Sequence, residues 1–166
     1  MKVQNIVDMK REILLQPLNA DNWEACTNLK LLDSQQDALP SNMYSIAELQ
    51  FYPQTKAYAI TYGDGIVGFT TCGIPADGGS PKIFRLMIGK DFQGRGYGKS
   101  ALRKVITLLF DKSESNEIQV CYHPNMKELK KFYSSVGFKE KEILLSSRRA
   151  EGKMLATLQR EDFFEE

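Results

Sequence analysis

The fold is decided by residues 82–110, which read KIFRLMIGKDFQGRGYGKSALRKVITLLF. The first part, Lys82–Ile88, is short and apolar and predicts a strand. Residues 89–98 form a glycine-rich, basic segment, which we call the glycine loop. From about Tyr97 to Phe110 apolar residues recur every three or four positions, which predicts one buried face of a helix. A strand therefore leads through a tight loop directly into a helix.

This junction has the features of a phosphate-binding site. The first N–H groups of a helix have no intrahelical acceptor, and the helix dipole places partial positive charge beside them. Gly94, Gly96 and Gly98 carry no side chain that would keep a ligand from the backbone. Residues 82–104 contain seven Lys or Arg against one acid, Asp91, in a chain whose net charge is +1. This local excess of positive charge predicts a local anionic ligand.

Three glycine motifs compete for this loop. A Walker A loop ends in Gly-Lys-Ser, as residues 98–100 do, but Gln93 stands where its first glycine is required. A dinucleotide fingerprint fits residues 96–101, yet that motif normally follows the first strand of a domain, whereas here more than half the chain precedes it. The third pattern, Gln/Arg-x-x-Gly-x-Gly/Ala, fits residues 93–98 without a mismatch.

The third pattern resembles the acyl-CoA loop of the GNAT N-acetyltransferases. Residues 131–138, KFYSSVGF, resemble the second CoA motif of that family. Residues 45–48, SIAE, and 67–69, VGF, resemble a bacterial branch that includes spermine/spermidine acetyltransferase-like proteins. The resemblance extends from about residue 14 to residue 160. It implies a single-domain α/β (α+β) GNAT fold, in which about four helices flank a mixed, mostly antiparallel, twisted sheet of seven strands. Two parallel strands, Lys82–Ile88 and Glu117–Tyr122, are expected to splay apart.

The implied function is acetyl-CoA-dependent N-acetylation of a primary amine, a polyamine or another small amine, by direct attack in a ternary complex. Such a transfer requires a held cofactor, a neutral amine, a stabilised oxyanion and an acid that protonates the leaving thiolate. Tyr133 is the expected acid, because the family has a tyrosine of the second motif close to the CoA sulfur. The expected cofactor-binding residues are Leu86, Met87, Ile88, Gln93, Gly94, Arg95, Gly96, Tyr97, Gly98, Lys99, Ser100, Asn125 and Phe132.

Glu48 has two interpretations that do not exclude each other. Ser45 and Glu48 match a capping box, in which a glutamate at the third helical position bonds back to the cap residue. The resemblance instead places Tyr44 and Glu48 on the lip of the acceptor site, where a carboxylate would attract a cationic amine. We therefore treat Glu48 as a candidate catalytic residue.

Two departures from the family pattern affect the chemistry. Many relatives carry an acid at the end of the fourth strand, but residues 82–90 contain none and offer Arg85 instead. Glu48, Glu151, His123 and a water relay remain candidates for deprotonating the amine. Asn125 lies one position earlier than the family's asparagine. An acyl-CoA-binding protein with altered catalysis therefore stays an alternative, followed by a dinucleotide-binding oxidoreductase.

Length and composition limit the other possibilities. The 166 residues fit one domain at 13–160, with an N-terminal extension at 1–12 and a frayed acidic tail at 161–166. We interpret the three cysteines as buried thiols of a cytoplasmic protein. Their spacing and the single histidine argue against a metal site. The near-neutral charge argues against nucleic acid, and no apolar run is long enough for a membrane span. A homodimer stays open.

Overall fold

The structure is a computed structural model that describes residues 11–37, 39–146 and 149–165, with residues 146 and 149–151 described by their backbone alone. Seven strands form one sheet: β1 Ile13–Pro17, β2 Thr55–Tyr62, β3 Gly65–Gly73, β4 Lys82–Ile88, β5 Glu117–Tyr122, β6 Lys139–Ser146 and β7 Arg149–Gln159. Five α-helices accompany it: α1 Trp23–Asn28, α2 Asn42–Glu48, α3 Tyr97–Asp111, α4 Lys127–Ser134 and α5 Arg160–Phe164. Short 3₁₀ turns lie at Asp33–Gln35 and Lys90–Phe92.

The sheet order is β1-β2-β3-β4-β5-β7-β6, in which β4 and β5 are parallel neighbours and the other neighbouring strands are antiparallel. This arrangement confirms the predicted mixed, mostly antiparallel sheet of seven strands. The described residues form five α-helices, where about four were expected. None of the helices in the described part of the chain is long and apolar enough to cross a membrane.

The parallel strands separate soon after they meet. Only two residue pairs join them, Lys82 with Gln119 and Ile83 with Val120. Beyond Ile83 the residues of β4 pair with β3 alone, so a gap lies between the far ends of β4 and β5. We call this gap the β4–β5 opening. It confirms the splay that the resemblance implied.

Apolar residues pack on both faces of the sheet. One cluster joins α3 and α4 to the sheet and is centred on Leu102, Ile106 and Val120, which are fully or almost fully buried. A second cluster lies under α1 and α2 and includes Cys26, Phe69 and Met87. The sheet therefore has an α3/α4 face and an α1/α2 face.

Tertiary contacts decide two helix boundaries. Helix α1 ends at Asn28, and Leu29 is extended. The carbonyl of Lys30 accepts a 2.7 Å bond from the N–H of Lys90, which fixes this segment against the glycine loop. The acidic tail was predicted to fray, but Arg160–Phe164 is helical and Phe163 packs 6.2 Å from the ring of Phe110.

The predicted extension at 1–12 lies outside the described residues except for 11 and 12, and residue 166 of the tail lies outside them too. Of the three predicted buried cysteines, Cys26 and Cys72 are buried, whereas Cys121 is exposed. The exposure follows from strand alternation, because Val120 and Tyr122 face the α3/α4 core and Cys121 points to the other face.

Candidate active site

The glycine loop joins β4 to α3 as predicted. Gly94 and Gly96 have φ of +76° and +81°, a left-handed conformation that side-chain-bearing residues rarely adopt. Gly96 is the N-cap of α3, and the first intrahelical bond runs from Ser100 N–H to its carbonyl at 3.2 Å. The N–H groups of Tyr97, Gly98 and Lys99 precede that bond and have no intrahelical acceptor. These groups are available to an anion.

The surroundings of the loop leave room for such a ligand. A Cβ placed on Gly94 or Gly96 would meet no atom within 4 Å, so both glycines face open space. Arg95, Lys99 and Ser100 are exposed at the same end of the helix. The loop and the start of α3 therefore offer the diphosphate end of a CoA molecule open space, positive charge and N–H donors.

Gln93 has a structural position within the loop. Its Nε2 donates to the carbonyl of Ile88 at 2.9 Å and to Oε1 of Gln35 at 2.8 Å, and Gln35 Nε2 donates back at 3.2 Å. The end of β4, the glycine loop and the turn after α1 are thereby joined. The amide of Gln93 therefore stabilises the conformation of the glycine loop.

Phe132 links the two predicted CoA motifs. A Cβ on Gly98 would lie 3.4 Å from Phe132 Cε2, so the glycine allows α4 to pack closely against the start of α3. Asn125 lies exposed in the turn between β5 and α4, where its N–H faces His123 Nδ1 at 3.4 Å. On β4, Leu86 is half-buried, whereas Met87 and Ile88 belong to the apolar clusters.

Tyr133 lies beside the β4–β5 opening within an aromatic group. Its ring stacks on Tyr122 of β5 at 5.6 Å and meets Phe132 and Phe138 edge-on at 5.2 and 5.5 Å. The side chain is 9% exposed, and its hydroxyl has no hydrogen-bond partner among the described residues. Burial, and to a smaller extent the nearby Cys121 thiol, raise the pKa of Tyr133 to about 12. The phenol is therefore protonated at neutral pH.

Glu48 does not form the predicted capping box. Helix α2 begins earlier, at Asn42, and its cap is Ser41, whose hydroxyl accepts a 3.1 Å bond from Tyr44 N–H. Glu48 is the last residue of the helix. Its Oε2 lies 3.4 Å from Nη2 of Arg85. Ser45 lies inside the helix and donates to the carbonyl of Ser41 at 3.2 Å.

Sequence reasoning gave Arg85 no partner and missed the position of Cys121. Arg85 and Glu48 are 37 residues apart, and no local pattern predicts their contact. The alternation of apolar and polar residues in Glu117–Tyr122 could have shown that Cys121 faces away from the core. Of the other candidate bases, His123 is half-buried at the end of β5, and the side chain of Glu151 lies outside the described residues.

Comparison with known proteins identifies the family. A family model described as "Acetyltransferase (GNAT) family" matches residues 22–138, well over half of the chain. No sequence among the curated proteins matches the chain significantly.

Several solved structures share the fold. The spermidine N-acetyltransferase from Vibrio cholerae, in complex with CoA and spermine, is 12% identical with a TM-score of 0.73, over 92% of this chain and 98% of that one. The aminoglycoside acetyltransferase AAC(6')-Ib, in complex with coenzyme A, is 13% identical with a TM-score of 0.77, over 93% and 98%. An acetyltransferase from Thermus thermophilus is 16% identical with a TM-score of 0.65, over 89% and 97%.

At these identities the structural likeness shows the fold, and the family model supplies the assignment. The glycine loop, the start of α3 and the β4–β5 opening all lie within the matched residues 22–138. The chain therefore belongs to the acetyltransferase (GNAT) family and is an N-acetyltransferase whose cofactor is acetyl-CoA.

Proposed function

We propose that the chain acetylates the nitrogen of a small primary amine by direct attack in a ternary complex. The observation that carries this proposal is the β4–β5 opening, which has the glycine loop after one strand and Tyr133 stacked on the other. Two proteins of the same fold are named for small amines, spermidine and aminoglycosides, which supports an acceptor of this size.

The cofactor would be held from its diphosphate to its thiol end by three parts of the chain. The N–H groups of residues 97–99, with Arg95 and Lys99, would bind the diphosphate. The backbone of Leu86–Ile88 would line the pantetheine arm, since β4 has no strand partner on that side beyond Ile83. Acetyl-CoA supplies a thioester whose carbonyl carbon accepts the amine nitrogen while the C–S bond breaks and CoA leaves as a thiolate.

Tyr133 is our candidate for protonating that thiolate. A phenol with a pKa of about 12 would donate poorly to an ordinary thiolate, because a free thiol has a pKa near 8.5. Burial changes both groups in the same direction. A thiolate that leaves beside the ring of Tyr133 would be partly desolvated as well, which would raise the pKa of the departing thiol toward that of the phenol.

Glu48 is our candidate for attracting the amine. It lies at the end of α2, is partly exposed at 36%, and presents its carboxylate on the α1/α2 face. Because Arg85 already contacts one of its oxygens, a water relay stays open as the route by which the ammonium loses its proton. The same contact favours a second candidate function, binding of acyl-CoA without efficient transfer.

A ligand-binding comparison followed by product analysis tests the proposal. Acetyl-CoA and CoA should raise the unfolding temperature of the full chain, whereas NADH and ATP at equal concentration should not. A ligand at one hundred times its Kd stabilises the folded state by about 2.7 kcal/mol. Stabilisation by NADH alone would refute the cofactor site that we assign to the glycine loop.

Mass spectrometry should then detect an N-acetylated amine and an equal amount of free CoA. The amines should include spermidine, an aminoglycoside and a set of amino acids. Binding of acetyl-CoA without product from any of these amines would favour the second candidate function.

A further inference from the structure

Arg85 occupies the α1/α2 face of the sheet near the β4–β5 opening. It pairs with Thr71, and Met87, two residues further along β4, packs in the cluster under α1 and α2. The Oγ1 of Thr70 donates a 2.7 Å bond to the carbonyl of Arg85 and fixes the backbone there. The side chain is 17% exposed. The guanidinium is thus held in place, mostly desolvated, and still reachable.

The donors of this guanidinium are incompletely used. Nη1 donates to the carbonyl of Phe84 at 3.0 Å, and Nη2 contacts Glu48 Oε2 at 3.4 Å. Nε is buried and has no acceptor among the described residues. A carboxylate that pairs well with arginine accepts two parallel bonds of about 2.7–2.9 Å. The single long contact from Glu48 leaves the Nε and Nη2 edge of Arg85 short of such a partner.

Other positive charges lie on the same face. Lys82 pairs with Gly73, two residues from the Thr71 that faces Arg85, so Lys82 and Arg85 share this face. Lys153 lies two residues from Leu155, the partner of Cys121. Partial desolvation raises the pKa of the Cys121 thiol, and the charges of Lys82 and Lys153 oppose that rise, so both lysines lie near the thiol. A polycation would be repelled here.

We propose that the acceptor is an amine that carries a carboxylate close to its amino group, as an amino acid does. The carboxylate would pair with the partly exposed guanidinium of Arg85, and the amino group would lie beside Glu48. A positive and a negative side chain in direct contact match a ligand whose own opposite charges are separated by one or two carbons. The inference rests on the proposed function and narrows its acceptor.

The first test compares acceptors that differ only in the carboxylate. The full-length protein is given acetyl-CoA with each common L-amino acid, with the carboxamide of the same amino acid, and with spermidine, and acetylated product is measured. At least one amino acid should show a kcat/KM tenfold or more above that of its carboxamide and above that of spermidine.

An equal or better rate with the carboxamide, a preference for spermidine, or no product from any amino acid would overturn the inference. The proposed function would survive any of these results, provided that the protein still binds acetyl-CoA and acetylates another amine. If acetyl-CoA itself does not bind, both proposals fail.

The second test changes the arginine. Arg85→Gln should lower the ratio of amino-acid to carboxamide kcat/KM by at least tenfold, and Arg85→Lys, which keeps the charge but not the paired donors, should lower it less. Lys56→Gln is a matched control, because Lys56 is exposed and pairs with Cys72, which faces the α3/α4 cluster. The control should keep the ratio of the native protein.

A merely structural Arg85 would give a different result. Its replacement would lower the unfolding temperature and leave the ratio unchanged, and that outcome overturns the inference. If Arg85→Gln does not fold, the comparison of each amino acid with its carboxamide on the native protein still tests the inference.

Discussion

Replacing Tyr133 with phenylalanine separates a proton donor from an aromatic packing residue. The ring contacts with Tyr122, Phe132 and Phe138 do not involve the hydroxyl, so Tyr133→Phe retains them. The hydroxyl has no hydrogen-bond partner among the described residues, so its loss leaves no described group unpaired. We expect the free energy of unfolding at pH 7 to change by less than about 1 kcal/mol.

The expected loss is in turnover. A positioned general acid typically contributes about 10²–10⁴ in rate, and water within the β4–β5 opening would replace part of that. We therefore expect kcat to fall by at least about tenfold, which corresponds to about 1.4 kcal/mol of barrier. The Kd of acetyl-CoA should remain within about twofold, because the glycine loop is unchanged.

The assay is CoA release measured by chromatography at saturating acetyl-CoA, with Kd from calorimetry. Tyr122→Phe is the matched control, since it removes a hydroxyl from the ring stacked on Tyr133. That hydroxyl donates to Glu140 at 2.9 Å, so the control should cost about 1 kcal/mol of stability and leave kcat unchanged. If Tyr133→Phe keeps full kcat, Tyr133 is a core residue and the acid must be sought elsewhere.

Three further predictions concern pH and the glycine loop. The pKa of Tyr133, about 12 when folded against 10 normally, means that its stabilising effect is complete below pH 10 and is lost as the pH rises towards 12. Urea titrations should show that the native protein loses about 1 kcal/mol more than Tyr133→Phe between pH 9 and 11, and equal losses would contradict the raised pKa. Gly96→Val should abolish acetyl-CoA binding in calorimetry, because φ of +81° is strained for valine and its side chain would enter the open side of the loop; normal affinity in a folded variant would remove the cofactor from this loop. Gln93→Leu should cost about 1–3 kcal/mol in urea unfolding and weaken acetyl-CoA binding, because it leaves the carbonyl of Ile88 unpaired; unchanged stability would show that water replaces the amide.

The sequence predicted the parts of this fold that depend on local pattern. The glycine loop, the long helix α3 and the parallel strand β5 each have a periodicity or a turn signal of their own, and the structure contains all three. The cap of α2 shows the limit of such signals. Ser41 and Ser45 both precede helical sequence, and the structure uses Ser41, with Ser45 bonded one turn back inside the helix.

Contacts between distant residues left no local signal. The side-chain amides of Gln35 and Gln93 bond to each other across 58 positions of sequence. These bonds help to hold the glycine loop in shape, whereas the sequence motif identified only the loop itself. The contact between Arg85 and Glu48 likewise depends on how α2 is docked. Asn42 fixes that docking by donating to the carbonyl of Cys26 at 2.9 Å and to the sulfur of Met87 at 3.6 Å.

One irregularity of β4 accounts for both halves of the candidate site. Arg85 pairs with Thr71 and Ile83 with the next residue, Cys72, so Phe84 is an extra residue that has no partner in β3. Such a bulge bends a strand and reverses the face of the residues that follow it. Ile83 therefore packs in the α3/α4 cluster, whereas Arg85 faces α1 and α2.

Pairing of β4 with β5 also ends at Ile83, immediately before the bulge. The bend that turns Arg85 toward α1 and α2 thus coincides with the start of the β4–β5 opening, which is where the cofactor arm would enter. In a regular strand Ile83 and Arg85 would share a face, and the guanidinium would point into the apolar cluster under α3. In the proposed function the acceptor and the cofactor would meet at this point of the sheet, and a single inserted residue would position them relative to each other.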